Sequence, residues 1–399
     1  MASTSLAEQL RNLTAPQSTI YKDDTRKVSL LFDPKEAASK DRDTFYEIGI
    51  SGLKELIALY EGFRVFEDTL FSLSSKEFER AVQTKDVNQN LDQTIEKFLL
   101  QVSPYLLLQS SHKALEWLVN RYHIHQYNQD AIMTLILPYH GTKIFVRFVQ
   151  LMDIRSMNNR WNWLTPVQKH GVALANQVLY NQCSSNSPML QFIAKTTLKY
   201  VKEFGERATQ LNTVFVFFCQ TAVGVIDSSK KVTESIVNAL LPTVMKAIES
   251  PIADFRAAAY IILGYLFTKT TLKEDTLNDI VHKILTTEFD LSYDVAILIT
   301  MMYEYQDHVT KMSEEILNDI SIDIMSTLCG YIKKLVEKGN NVKPFIMAFL
   351  RRVLPLIQSE EFWRFCQLPE VLIDEIDLKQ QYPGKIIKCV LDAFKPQSG

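Results

Sequence analysis

Apolar residues recur along the chain with the period of an α-helix rather than that of a strand. Val232, Ile236, Leu240, Val244 and Ile248 stand four positions apart and form one face of a helix. The same period predicts further helices over 86–102, 111–122, 143–152, 189–204, 271–286, 312–337 and 343–358. Because sustained alternation of apolar and polar residues is nearly absent, the sequence predicts an all-α protein.

The connections between these segments fit the same prediction. Ser184–Pro188 and Gly339–Asn341 are short and polar, as antiparallel helix pairs require. The 12 glycines and 13 prolines each make up about 3% of the chain, below their usual shares of about 7% and 5%, which favours long helices. The apolar run 214–218 is compatible with a buried strand, but its place between two helical patterns favours a buried helix.

The segment 240–266 resembles a HEAT repeat unit, a pair of antiparallel helices that stacks on neighbouring pairs. Pro242 lies inside the first helix, Ser250-Pro251 makes the turn, and Asp254 with Arg256 opens the second helix. We expect Asp254 to cap that helix, because a carboxylate suits the positive end of a helix dipole. We expect Arg256 to reach a carboxylate of a neighbouring repeat.

The length of 399 residues exceeds what one hydrophobic core usually organises. HEAT units run about 40–47 residues, so the chain has room for roughly eight or nine. The predicted architecture is a right-handed superhelical solenoid of HEAT-like helix pairs. The last residues, Phe394–Gly399, carry no polar capping helix, so we expect the array to be truncated at its carboxyl end.

The net charge of −3, from 43 basic and 46 acidic residues, creates no global attraction for nucleic acid. Between residues 113 and 160, however, six basic residues stand against three acidic ones. An ordinary solvated face is the simpler interpretation, and a local patch that contacts RNA or an acidic partner is the alternative. The candidate contact residues are Arg121, Lys143, Arg147, Arg155 and Arg160.

The five cysteines are widely spaced, odd in number and without a C-x-x-C pair, which indicates free thiols in a reducing compartment. The first residues contain no apolar core of signal-peptide length. The longest apolar stretch, 257–267, is shorter than the roughly 18 residues that span a bilayer. The sequence therefore predicts a soluble, intracellular protein without a membrane partner.

Two groups of residues invite a functional interpretation that the spacing does not favour. His123 and His125 would point about 200° apart on a helix, so they do not suit one metal ion. The four tryptophans, at positions 117, 161, 163 and 363, are suited to stacking on bases, but core packing is the favoured interpretation. The motifs of phosphate-binding loops, nucleophile elbows, zinc proteases and dinucleotide sites are absent. We therefore expect a protein that is no enzyme and has no cofactor, metal or small-molecule substrate.

A resemblance to a known family is carried by seven segments: Ser29–Ala38, Val82–Lys85, Ser103–Leu108, Ala114–Leu118, Arg121–His125, Tyr127–Asp130 and Ile144–Arg147. They resemble the family of HEAT repeat-containing protein 1, which includes the yeast U3 small nucleolar RNA-associated protein 10. The resemblance is to the amino-terminal region of that family, and it is densest in the HEAT-like helical domain that we assign to residues 1–175. Over the continuing repeats of 176–399 it is diffuse.

The resemblance implies a non-catalytic scaffold of the small-subunit processome in the nucleolus. It implies roles in pre-18S rRNA processing, ribosome small-subunit biogenesis and support of RNA polymerase I transcription. The implied partners are processome proteins of the early pre-rRNA-binding subcomplex, together with the U3 snoRNP and the 5′ external transcribed spacer, bound weakly or indirectly. A transport or trafficking adaptor of the karyopherin kind, or a phosphatase scaffold, remains an alternative because these proteins use the same repeats.

Overall fold

A computed structural model describes residues 28–287 and 291–356, together with positions 372, 384, 387, 388, 390 and 391. Every regular element in this part of the chain is a helix, so the all-α prediction is confirmed. The helices divide between two compact units, of which the first ends at Ala175 and the second begins at Asn176.

Eight α-helices are described in the first unit. They are α1 (Pro34–Ser39), α2 (Arg42–Leu59), α3 (Lys85–Val102), α4 (Gln109–Tyr122), α5 (Ile124–Tyr127), α6 (Gln129–Ile136), α7 (Lys143–Leu151) and α8 (Thr165–His170). Asp33 and Asp41 begin the first two helices, since their carboxylates accept hydrogen bonds from the backbone N–H groups of Lys35 and Thr44 at 2.8 Å each.

Helices α2 and α4 pack together at unusually close range. A Cβ atom on Gly49 would lie 2.5 Å from the Cβ of Trp117, and one on Gly52 would lie 2.5 Å from the carbonyl oxygen of Ser110. The missing side chains therefore let the two helix backbones approach each other. The Trp117 indole Nε1 and the Tyr122 hydroxyl both donate to the carbonyl oxygen of Leu70, at 3.0 and 2.8 Å.

The second unit contains ten described α-helices, nine of which form two rows. They are α9 (Asn176–Ser185), α10 (Ser187–Phe204), α11 (Asn212–Ser228), α12 (Glu234–Ile248), α13 (Ala253–Lys269), α14 (Glu274–Thr286), α15 (Tyr293–Tyr305), α16 (Glu314–Asp319), α17 (Ile322–Glu337) and α18 (Lys343–Leu356). Helices α10, α12, α14 and α16 follow one another in the first row, and α9, α11, α13, α15 and α18 in the second row. Helix pairs stacked in this way are the architecture of a HEAT solenoid.

The HEAT-like segment folds as its sequence indicates, apart from the helix start. Pro242 lies inside α12, and α13 begins at Ala253 after the turn. The expected capping role of Asp254 is wrong: Ile252 occupies the N-cap position, and Asp254 is an exposed residue of the first turn. Its carboxylate still lies near the positive end of the helix dipole. The Arg256 guanidinium donates to the carbonyl oxygen of Ser250 at 2.6 Å and so braces its own turn.

The predicted helix over 312–337 is divided into two. Ile320 ends α16 in an extended conformation, with φ −70° and ψ 131°. The Ser321 hydroxyl then accepts a hydrogen bond from the backbone N–H of Ile324 at 3.2 Å and begins α17. Apolar period alone did not reveal this break, because a side-chain cap competes locally with helix continuation. The ambiguous run 214–218 lies inside α11, as expected.

The run Ser187–Ser228 includes an 18-residue window whose length and apolar composition would suit a membrane span. Half of that window is buried inside the fold. A 3-10 turn over Gly205–Leu211 separates α10 from α11 within the run. Phe215 and Phe218 of α11 are 1% and 0% exposed. These contacts are those of core helices packed against other helices.

Candidate functional site

Arg147, one of the candidate RNA contacts, donates hydrogen bonds to the protein's own backbone. It lies half-buried on α7. Its Nη2 atom donates to the carbonyl oxygens of Ser29 and Phe32, at 2.7 Å each, and its Nε atom donates to that of Leu30 at 3.3 Å. The planar guanidinium suits several such bonds at once. The structure therefore gives Arg147 an internal, structural role.

Glu116 of α4 binds the backbone N–H groups of the same segment. Its side chain is 0% exposed. The carboxylate accepts hydrogen bonds from the Ser29 hydroxyl (2.6 Å) and from the backbone N–H groups of Leu30 (2.7 Å) and Leu31 (3.0 Å). The Asn120 amide donates a further bond at 2.8 Å. Burial raises the pKa of the Glu116 carboxyl, although these four hydrogen bonds oppose the rise.

We call Ser29–Phe32, Glu116 and Arg147 the amino-terminal clamp. The Glu116 carboxylate accepts hydrogen bonds from backbone N–H groups of this segment, and the Arg147 guanidinium donates to its backbone carbonyl oxygens. These bonds fix the segment although it belongs to no helix or sheet. All three parts lie in segments that carry the family resemblance. The pairing escapes sequence analysis because its members are 87 and 118 residues apart.

Arg160 belongs to a second polar cluster. It forms an ion pair with Asp130 at 3.0 Å and lies 5.0 Å from the centre of the Trp161 ring. The Trp161 indole donates to the same carboxylate at 2.8 Å and is 1% exposed. Trp117 is also 1% exposed, so packing is the role of both indoles. Trp363 lies outside the described residues.

The remaining candidate contacts lie in different surroundings. Arg121 is half-buried on α4, and burial, followed by the nearby charge of Arg42, lowers the pKa of its guanidinium. Lys143 is exposed at the first position of α7. Arg155 is exposed, with its Nε atom 3.4 Å from the Gln168 side-chain oxygen. Of the five candidates, Lys143, Arg155 and Arg160 are thus the most open to solvent.

Polar side-chain pairs join helices of the second unit. They are Asp227–Lys269 (2.9 Å), Glu249–Lys283, Asp319–His282 (2.7 Å) and Glu314–Arg352 (3.7 Å). The first three pairs join neighbouring helices of one row, whereas Glu314–Arg352 joins α16 of the first row to α18 of the second. All of these side chains are at least partly exposed, so each bond contributes little stability by itself, about 0–1 kcal/mol.

The histidine pair and two of the described thiols lie in surroundings that oppose their charged forms. Burial lowers the pKa of His125 to about 4, and the ring centres of His123 and His125 lie 5.9 Å apart. Burial raises the pKa of Cys183 to about 12 and also raises that of Cys219. Over the part of the chain that the structure describes, three or more His, Cys, Asp or Glu side chains never gather as they would around a metal ion.

Comparison with known proteins places this chain beside one set of relatives. A family model described as U3 small nucleolar RNA-associated protein 10 matches residues 236–353, from α12 to α18 of the second unit. HEAT repeat-containing protein 1 of Homo sapiens is 42% identical over 290 residues, which are 71% of this chain and 13% of that protein. Its homolog in Drosophila melanogaster is 36% identical over 400 residues, which are 98% of this chain and 19% of that protein.

A fungal relative extends the comparison. U3 small nucleolar RNA-associated protein 10 of Candida albicans is 26% identical over 394 residues, covering 94% of this chain and 22% of that protein. The chain therefore spans less than a quarter of the length of these relatives. The match of the family model lies in the second unit, although sequence analysis had found the resemblance densest before residue 175.

Proposed function

Because the chain belongs to the family of HEAT repeat-containing protein 1 and U3 small nucleolar RNA-associated protein 10, we propose that it is a scaffold of the small-subunit processome. In this role it acts in pre-18S rRNA processing and small-subunit biogenesis and supports RNA polymerase I transcription. The observation that carries the proposal is the match of the U3 small nucleolar RNA-associated protein 10 model to residues 236–353. The same match does not favour a karyopherin-like transport adaptor.

The scaffold is proposed to be non-catalytic and nucleolar. Its helix pairs stack in rows, an architecture that presents broad surfaces for macromolecular partners. The names of the relatives refer to HEAT repeats and to U3 small nucleolar RNA association, and neither name describes a reaction. The proposed partners are processome proteins of the early pre-rRNA-binding subcomplex and, more weakly or indirectly, the U3 snoRNP and the 5′ external transcribed spacer.

Any direct RNA contact of this chain is proposed to be electrostatic and weak. The test is the double variant Lys143→Ala with Arg155→Ala, because both side chains are exposed. Arg147 is left intact, since its removal would release the clamp. Binding to a single-stranded RNA oligonucleotide should weaken and its salt dependence should decrease by about one to two contacts, each contributing a slope of about 0.7. Tight binding that persists at high salt would contradict the proposal.

The cellular role is tested by depleting the protein and measuring mature rRNAs. We expect 18S rRNA to fall while 28S rRNA is initially spared, because the proposed role concerns the small subunit. Re-expression of the full-length protein is the control and should restore 18S rRNA. Normal 18S output after complete depletion would refute the processome assignment. Purification of the native protein at two salt concentrations should recover processome proteins and U3 RNA rather than nucleoporins or a phosphatase.

A further inference from the structure

The first-row helices of the second unit change in charge along the row. The ranges of α14 and α16 contain six carboxylates and one lysine. The ranges of α10 and α12 contain four lysines and two carboxylates instead, which are Lys195, Lys199, Lys202, Lys246, Glu203 and Glu234. The sequence has no Asp or Glu from residue 154 to residue 202. The positive charge of the first row is therefore concentrated on α10 and α12.

Three of the lysines form a stripe along α10. Lys195, Lys199 and Lys202 follow one another at intervals of four and three positions, so they share one face of the helix. All three side chains are exposed. Ile193, two positions before Lys195 and thus on nearly the opposite side of the helix, is 2% exposed. The lysine stripe therefore points away from the buried core.

Lys246 of α12 is exposed beside this stripe. The Ser187 hydroxyl donates to the carbonyl oxygen of Ser235 at 3.1 Å, so α10 and α12 begin side by side. The two helices run in parallel, because each is followed by an antiparallel helix of the second row. Lys199 stands twelve positions after Ser187 and Lys246 eleven positions after Ser235, which places both lysines at the same height. We call Lys195, Lys199, Lys202 and Lys246 the lysine strip.

The carboxylates near the lysine strip lie at its ends. Glu203 is half-buried in the last turn of α10, and Glu234 is exposed at the first position of α12. The adjoining turns hold charges that compensate one another or add cations: Glu206 with Arg207, Glu249 in its ion pair with Lys283, and the exposed Lys230 and Lys231 just before Glu234. The strip therefore keeps an excess of positive charge and attracts polyanions.

The side chains of these helices indicate a phosphate backbone as the partner. Protein interfaces have cores that are rich in aromatic and large apolar residues and poor in lysine. Over α10 and α12, both described along their whole length, no large apolar side chain is exposed. Lysine ammonium groups bind phosphates as point charges and do not read bases. Without an exposed aromatic ring, these helices also lack the surface on which single-strand binders stack bases.

We propose that the lysine strip binds the phosphate backbone of double-stranded RNA without base preference. Its stripe on α10 is about 10 Å long, and α12 lies roughly 8–10 Å to the side, so the strip matches a few phosphates. A duplex presents its phosphates densely and hides its bases, and proteins recognise it mostly by shape and backbone. The proposal names an RNA-binding surface for the scaffold proposed above and rests on that function. It lies in the second unit, whereas Lys143 and Arg155 lie in the first.

The test is the affinity of the whole chain for an RNA duplex of about 20 base pairs, measured by fluorescence anisotropy over a series of salt concentrations. The double variant Lys195→Gln with Lys202→Gln should weaken binding at least tenfold at about 100 mM salt, and the slope of log affinity against log salt should fall by about 1–2. Lys273→Gln with Lys311→Gln is the matched control, because it removes the same charge from exposed positions of the same unit. It should leave the affinity within about twofold of wild type.

Circular dichroism should show the same helix content in both variants and in wild type. Full duplex binding by Lys195→Gln with Lys202→Gln, an equal loss in the control, or no duplex binding by wild type at about 50 mM salt would overturn the proposal. A glutamate-rich peptide, or a single-stranded RNA of the same sequence, that binds more tightly than the duplex and is lost in the same variant would overturn it in favour of that partner. These assays do not measure rRNA, so they can fail while the 18S experiment succeeds, or succeed while it fails.

Discussion

Glu116 and Arg147 show how single charged residues can act as backbone partners. Both would be expected on a solvated helix face from their chemistry alone, yet Glu116 is 0% exposed and Arg147 is half-buried. A buried charge is tolerated only when hydrogen bonds replace its water. The backbone of Ser29–Phe32 supplies those bonds, and the clamp in turn fixes that segment.

We expect Glu116→Gln to lower the free energy of unfolding by about 1–3 kcal/mol, because the amide nitrogen would face N–H donors that the carboxylate now satisfies. Arg147→Lys should also destabilise, since one ammonium group cannot match the guanidinium's bonds to three carbonyls. The double variant should cost less than the sum, because both side chains act on one segment. Urea unfolding measures the free energy of unfolding of each variant. Arg155→Lys is the control and should change that free energy little. Strict additivity would show that the two residues act independently.

His125 should make the protein less stable in mild acid. Burial lowers the pKa of His125 from 6.5 to about 4, and neither ring nitrogen has a hydrogen-bond partner. The unfolded chain therefore takes up a proton below about pH 6.5 while the folded chain resists it, so stability is lost as the pH falls from 6.5 to 4. His125→Leu should flatten this part of the curve of unfolding free energy against pH. Parallel curves for His125→Leu and wild type would contradict the prediction.

At the scale of elements, a helical glycine matters where another helix packs directly against it. Gly52 of α2 faces the backbone of α4, whereas Gly330 of α17 has no neighbouring atom within 4 Å of a Cβ position. Both glycines lie inside helices, and nothing in the sequence distinguishes them. Their different surroundings follow from the tertiary packing alone.

Gly52→Ala should destabilise the first unit by about 1–3 kcal/mol, because the added Cβ would lie 2.5 Å from the Ser110 carbonyl oxygen and 2.7 Å from the Ala114 nitrogen. Backbone atoms cannot move aside as a flexible side chain can. Gly330→Ala is the matched control and should stabilise by about 0.4–1 kcal/mol, since alanine favours the helix at no steric cost. Thermal unfolding of both variants decides the matter. Equal effects of the two substitutions would refute the close-packing argument.

At the scale of the whole molecule, the second unit is a row in which each helix pair depends mainly on its neighbours. Phe255 illustrates this dependence. It is 1% exposed on α13, and its ring stacks on Phe215 of α11 with centres 5.1 Å apart. A disturbance at such a junction should spread along the row before it affects more distant helices.

Phe255→Ala should lower the free energy of unfolding by about 3–5 kcal/mol, because it removes a buried aromatic ring and leaves a cavity. Hydrogen exchange measured by mass spectrometry should then accelerate in α11, α13 and α15. Exchange in α2 and α4 of the first unit should stay at the wild-type rate. Uniform acceleration across the chain would show a single cooperative core instead of a row.

Helical period determined the fold class by itself, because it depends only on residues three or four positions apart. It predicted the helices over 86–102, 189–204 and 271–286 to within a few residues at either end, and the turn at Ser250-Pro251 followed from local chemistry. The HEAT-like spacing of 240–266 likewise described α12 and α13 correctly, except for the cap.

Only the tertiary structure decided which charged side chains serve the fold and which face solvent. The clamp joins Ser29 to Glu116 and Arg147, and Lys283 reaches Glu249 of the preceding helix pair. Such partners are set by how helices stack over long sequence distances, which a local pattern does not encode. For the same reason, Ile261 looks like a core residue in an apolar helix, and only the arrangement of its neighbours leaves it 51% exposed.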